Sequence, residues 1–289
     1  MKSKSFLLII IILIAVIVVA ILLLKPKQII SVETDHQAWS ERYFLTADTT
    51  RGALTIEINI DRPIAYPDAE ILNKIKTQVY TQLFGVLSNQ VEADSMLVAF
   101  VKELKSEYVN NNAEFVDKLS KDNRLVFDNS FILEGFALLN DKHIFSYGIT
   151  REVDLGGNHP AKTRSYYNFN LVDGSQISEK DIFVEGYEKE LTSIIRLKLI
   201  ADSHVVDEIP EIDSFEDSEF IVEAIRPNGN FYLNDEAICY VFNPFEIAPI
   251  YYSADTEVVL PYSLIKHLMK ENNPISYLVT IPVEEQINR

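Results

Sequence analysis

Phe6 to Leu24 is an unbroken run of nineteen apolar residues, flanked by Lys2 and Lys4 on one side and by Lys25 and Lys27 on the other. A helix rising about 1.5 Å per residue over this run is roughly 28 Å long, close to the ~30 Å of a bilayer's hydrocarbon core. The run therefore reads as one transmembrane helix over residues 6–24, with residues 1–5 as a cytoplasmic tail and Pro26 stopping the helix. The alternative is a cleaved secretory signal, with Lys2 and Lys4 as its positive region and Val18-Val19-Ala20 as a small-residue cleavage site. Cleavage there would start the mature chain with the four aliphatics Ile21 to Leu24, and the run exceeds the about 7–15 residues of a usual signal core. Retention as an anchor is the stronger reading. The short amino-terminal side carries the extra charge of the free amine, and long domains translocate largely regardless of charge, so the carboxyl-terminal part is expected outside.

Four of the 26 basic residues precede residue 28 and no acidic one does, which leaves 22 against 43 and a formal charge of −21 on the part beyond the anchor. Such a surface repels nucleic acid and anionic headgroups and steers cationic partners toward it; it also keeps an exported domain soluble. The chain has a single cysteine, Cys239, in the apolar run Ala237 to Phe242, so it has no internal disulfide and the thiol is expected buried and inert. With 16 Phe, 14 Tyr and only nine Gly, the chain has the aromatic supply for a well-filled core.

Residues 25–50 read as a linker passing into a first strand, and Leu54, Ile56, Ile58 and Ile60 alternate as one face of that strand. Asp68 opens a helix whose Ile71, Ile75, Val79, Leu83 and Leu87 form one stripe. A second helix starts near Ser95, with Leu97, Phe100, Val101, Leu104 and Tyr108 on a face and a continuation through Phe115 and Leu119. From about Leu125 the pattern becomes β: Phe131–Leu139 and His143–Val153 flank the turn Asn140-Asp141, and Arg164–Leu171 runs into Asp173-Gly174. A helix over Tyr187–Ala201 follows, then an acidic stretch from Asp207 to Glu219 with Asp202 at its near edge, expected to be solvated. Strands are expected at Asn230–Leu233, Ala237–Phe242, Val258–Leu260 and Tyr277–Ile281. The order defines an α+β fold, an antiparallel sheet with flanking helices. A soft boundary near residue 125 separates a strand-helix-helix part, 51–125, from an antiparallel part, 126–289, and the two are expected to pack together.

The chain carries five histidines, none with the spacing of a zinc signature, and it has no nucleophile elbow, phosphate loop or dinucleotide fingerprint, so neither metal nor cofactor is indicated. Two clusters stand out. In Gly156-Gly157-Asn158-His159-Pro160 the glycines permit positive φ, Asn158 follows into a turn and Pro160 fixes the exit, which presents His159 on a tight loop. His159 can bond a ligand with a charge switchable near neutral pH, or satisfy a buried carbonyl. If Gly157 holds a special backbone conformation, Gly157→Val destabilises the fold. In the segment Asn243 to Tyr252, Pro244 and Pro249 stiffen a loop that offers Phe245, Tyr251 and Tyr252 as aromatic surface; the same loop can equally fold onto the core through Phe245 and Ile247.

Together with Tyr167-Asn168-Phe169-Asn170-Leu171, the turn Asp173-Gly174 and the segment Val259-Leu260-Pro261-Tyr262, these clusters resemble the bacterial envelope domain of unknown function found in lysozyme-sensing anti-sigma-V factors and some peptidoglycan deacetylases. The resemblance is specific over about residues 130–268; residues 50–125 resemble the companion region that precedes it in that family, without a sharp motif. It implies an extracytoplasmic α+β binding module on the bacterial cytoplasmic membrane, with relatives that clasp lysozyme. A sigma-binding segment has no room in the about five residues ahead of the run, and the Asp and His ligand motifs of a metal-dependent deacetylase are missing. A non-enzymatic module for a cell-wall component or cationic envelope protein is thus the expected function; a small peptidoglycan hydrolase using His159 and nearby carboxylates is the alternative.

Overall fold

Two long strands open the fold, β1 (Glu33–Phe44) and β2 (Ala53–Ala65), paired antiparallel with Trp39 opposite Ile58. The computed structural model describes residues 30–49, 52–85, 93–118, 127–157, 159–204, 212–216, 218, 220–248 and 255–280. The expected transmembrane helix, 6–24, and the residues Leu87 and Leu119 lie outside these. Among the described residues no helix is long and apolar enough to cross a membrane.

Residues 33–44, expected as linker, form β1 instead. This strand lies at the sheet's edge and buries only Trp39, Tyr43 and their neighbours in part, so its sequence lacks a clean alternation. After β2, Asp68 caps α1 (Ala69–Phe84): its carboxylate accepts from the backbone N–H of Glu70 at 2.9 Å and of Ile71 at 3.1 Å, two donors that the helix leaves without a partner. Ile71, Ile75, Val79 and Leu83 are buried as one stripe. α2 (Ala93–Asn112) follows and ends in a 3₁₀ turn, Ala113–Lys118.

The next strands are β3 (Asn129–Asn140), β4 (Ile144–Asp154) and β5 (Ala161–Asn170), joined as antiparallel hairpins. The sheet order is β1-β2-β3-β4-β5, and β2 pairs with β3 in parallel, Ile56 opposite Phe131. The expected all-antiparallel sheet is therefore mixed. A parallel pair needs a crossover of a dozen or more residues, and the two helices between β2 and β3 are that crossover. The boundary expected near residue 125 falls inside the crossover, so one sheet spans it. One face of this sheet packs under α1 and α2 in a core that includes Ile56, Ile58, Ile60, Leu133, Phe145 and Phe169.

A short helix α3 (Glu179–Ile182) and α4 (Glu188–Ser203) lead to a second sheet of β6 (Phe231–Leu233), β7 (Ala237–Phe242) and β8 (Thr256–Pro261), antiparallel in that order. Leu191, Ile195 and Leu199 of α4 join Val258 and Leu260 of β8 in a second core, which Ile144 of β4 also enters. Cys239 is fully buried, and burial pushes its thiol up to about 11, which keeps it protonated and inert at neutral pH. Asp202, expected in a solvated acidic stretch, is instead buried at the end of α4 and bonded to Lys198 one turn earlier.

After α5 (Tyr262–Ile265) the last element among the described residues is α6 (Ser276–Thr280), a helix over the described part of the strand expected at Tyr277–Ile281; Ile281 lies outside the described residues. Asn273 starts this turn: its side chain accepts from Ile275 N at 2.9 Å and its carbonyl from Ser276 N at 3.1 Å, and Tyr277 Oη then donates to Asp141 at 2.6 Å. The short apolar run Tyr277-Leu278-Val279 fits strand and helix periodicity equally, and the Asn273-Pro274 corner decides between them.

The buried phenols make the fold sensitive to alkali. Burial, with Asp128 and Tyr43 adding to it, pushes Tyr108 up to about 12 from an ordinary 10, and burial likewise raises Tyr147, Tyr240 and Tyr262 well above it. A phenol whose folded pKa exceeds its unfolded one contributes stability that is complete below the unfolded value and is lost as pH rises through the folded one. Urea unfolding should therefore show stability falling between about pH 10 and 12. Phenolate absorbance from all 14 tyrosines with the fold intact would contradict this.

Candidate binding surface

β5 is the open edge of the larger sheet, and side-chain amides close it. Asn243 Oδ1 accepts from Arg164 N at 2.6 Å and Asn230 Oδ1 from Tyr166 N at 3.1 Å, while Nδ2 of both asparagines donates to Arg164 O. Further along, the buried Asn168 donates to Phe231 O at 2.8 Å and accepts from Ser146 Oγ at 2.6 Å. Asn230 and Asn243 stand in for the missing strand and satisfy backbone groups that the edge leaves open. With Asn168 they fix the second sheet against the first, beside the tilted ring pair of Tyr166 and Tyr232, whose centroids are 5.0 Å apart.

The stitching ties the start of the second sequence cluster to β5, the strand that follows the first. The β4–β5 hairpin tip carries Leu155, Gly156, Gly157, His159 and Pro160; three residues into β5 comes Arg164, bonded to the Asn243 that opens the second cluster. Arg164 and Lys162 both pair with Asp255, where the second loop returns to β8. Asn158 of the first cluster, and Pro249, Tyr251 and Tyr252 of the second, lie outside the described residues.

At the hairpin tip Leu155 is 69 % exposed and His159 and Pro160 are exposed. Gly156 takes φ +75° with its N–H donating to Asp154 at 2.8 Å. Gly157 does not share this geometry, and a Cβ built on it meets nothing within 4 Å, so the expected cost of Gly157→Val is corrected here: the constraint sits one residue earlier. Gly156→Val should cost about 1–3 kcal/mol and Gly157→Val less than about 0.5 kcal/mol. Paired melting curves of the two variants check this; equal losses would contradict it. His159 makes no hydrogen bond or ion pair among the described residues, so neither a buried carbonyl nor an acid partner engages it there.

In the second cluster Glu246 N donates to Asn243 O at 3.0 Å across Pro244 and Phe245, and Phe245 has φ +68°. Proline second and a positive φ third is the pattern of a type II turn, whose third position favours glycine or asparagine. Phe245 is the one positive-φ residue other than glycine among the described residues, and it is 38 % exposed. Ile247 and Ala248 right after it are buried, so the loop both packs on the core and displays an aromatic ring. Sequence reading missed the anchors Arg164, Asp255 and Asn230. Their pairing bridges 64 to 91 residues of chain and leaves no local pattern; only the dense run Asn228-Gly229-Asn230 hints at an amide-rich turn.

Residues 180–263 match a family model described as a protein of unknown function, DUF3298. The matched span includes β6 to β8 and the Asn243–Ala248 loop. A solved structure of a DUF3298 family member from Bacteroides fragilis superposes with a TM-score of 0.75 at 22 % identity, covering 86 % of this chain and 97 % of that one. A DUF3298 family protein from Pseudomonas aeruginosa gives 0.51 at 15 % identity, covering 83 % and 95 %. No curated protein matches the chain. The fold is thus the one those two proteins share.

Proposed function

We propose that this protein is a membrane-tethered, extracytoplasmic binding module of the bacterial envelope, which recognises a cell-wall component or a cationic envelope protein such as lysozyme. The observation that carries this reading is the Asn243–Glu246 turn anchored on β5, where an exposed Phe245 is held in a backbone conformation unfavourable for a bulky residue. Strain of this kind persists where the surrounding structure over-determines it, and it concentrates at ligand-contacting positions. The −21 charge beyond the anchor supports a basic partner by steering, and the Phe6–Leu24 run supports the tether.

The test is a pull-down of the full-length protein in detergent with whole peptidoglycan and, separately, with lysozyme. Retention of either at about 0.15 M salt supports the reading; retention of neither overturns it. Amino-terminal sequencing of the protein from membrane and secreted fractions tests the tether: Met1 or Lys2 first, in the membrane fraction, is expected, and protein starting at Ile21 in the secreted fraction would overturn it.

A further inference from the structure

We propose that a cleft bordered by the Asn243–Glu246 turn, separate from the exposed Phe245 ring, binds a cationic nitrogen group, an alkylammonium or a guanidinium. The proposal deepens the reading above, because it gives a basic partner a place to seat one side chain. The cleft holds about 720 Å³ between the start of α4 and the segment 224–229. Two half-buried carboxylates line it, Glu179 and Glu246, and both are fixed by neutral donors alone. Glu179 accepts from Gly229 N and from Tyr187 Oη, each at 3.0 Å; Glu246 accepts from Asn228 Nδ2 and from Asn243 N, each at 2.8 Å. Apart from the Tyr240 hydroxyl directed at Glu179, each oxygen holds one bond and keeps a further lone pair, and neither carboxylate has a cationic partner among the described residues.

The exposed Glu188 adds a third carboxylate. Arg226 lines the same cleft without pairing to any of the three, which leaves the lining two charges negative. Behind Glu179 the fully buried Tyr240 directs its hydroxyl at the same carboxylate as a further neutral donor, and the carboxylate's charge adds to burial in raising the phenol. Carboxylates fixed in advance by neutral donors recognise a cation at little reorganisation cost. Ala224 and Pro227 offer apolar contact for the methylene stem that carries a side-chain ammonium or guanidinium.

The probe is Nα-acetyl-lysine amide, with Nα-acetyl-arginine amide as a second cation and Nα-acetyl-norleucine amide as the neutral control, titrated into full-length protein by ligand-observed NMR. Both cations should bind at least about tenfold more tightly than the control. Glu188→Gln should weaken lysine-amide binding by about three- to tenfold, and Arg226→Ala should strengthen it by a similar factor, since the latter removes a like charge. Both side chains are exposed and hold no hydrogen bond or ion pair among the described residues, so the variants are expected to fold. Equal binding of lysine and norleucine amides, or weaker lysine-amide binding in Arg226→Ala, would overturn the proposal. Lysozyme retained by a protein that ignores lysine amide would overturn the cleft and leave the partner standing; lysine amide bound by a protein that retains neither lysozyme nor peptidoglycan would support the cleft and remove the partner.

Discussion

Asn168→Leu is expected to lower the stability of the folded protein by about 2–4 kcal/mol, because it removes two hydrogen bonds from a site with no access to water. Asn168 is 2 % exposed, and Ser146, whose hydroxyl it accepts, is fully buried. Leucine matches asparagine in size but leaves that hydroxyl unpaired and deprives Phe231 O of a donor across the two sheets. For a fold of this size the loss corresponds to a melting midpoint lower by roughly 4–16 °C. Thermal denaturation of the two proteins side by side reads it directly. A shift below about 1 °C would mean that the amide ladder contributes little, and that the sheets are held together by Ile144, Tyr166, Tyr232 and their apolar neighbours instead.

Phe245→Gly should separate stability from binding. Glycine at φ +68° removes the strain of a bulky residue, worth about 1 kcal/mol, while the partly buried ring takes a similar amount of packing with it. The net change in stability should stay within about 1 kcal/mol. Partner dissociation should nevertheless accelerate by about tenfold or more, the effect of losing an aromatic anchor of roughly 1.4 kcal/mol or greater. Association should change little, because it follows net charge and not a single ring. A Gly variant that is clearly less stable and releases its partner at the parent's rate would make Phe245 a packing residue.

Much of the fold was legible because apolar periodicity reports burial directly. The stripe Ile71, Ile75, Val79 and Leu83, the alternation Leu54 to Ile60 and the continuous run Ala237 to Phe242 each became the element their spacing implied. β1 was not legible, since an edge strand half-covered by helices needs no regular apolar face. The parallel β2–β3 pair was not legible either: pairing partners across a two-helix crossover leave no mark on local pattern. The same limit applies to the surface. His159 and Phe245 stand out through Gly and Pro chemistry around them, but that the Phe245 loop is anchored on the strand following His159 depends on Asn230, Asn243 and Asp255 contacting β5 from far along the chain. Gly157 was the wrong one of two adjacent glycines, because a Gly-Gly pair does not reveal which member takes positive φ.

The most direct test of the central claim is the rate at which lysozyme associates with and leaves the full-length protein in a membrane, measured at low salt and at about 0.15 M, where the screening length is about 8 Å. A specific module predicts that salt slows association but leaves dissociation within about twofold, while Phe245→Gly, or Tyr251 and Tyr252 changed together to Ala, speeds dissociation at either salt. Binding that vanishes at about 0.15 M, or release rates identical in the parent and these variants, would contradict it.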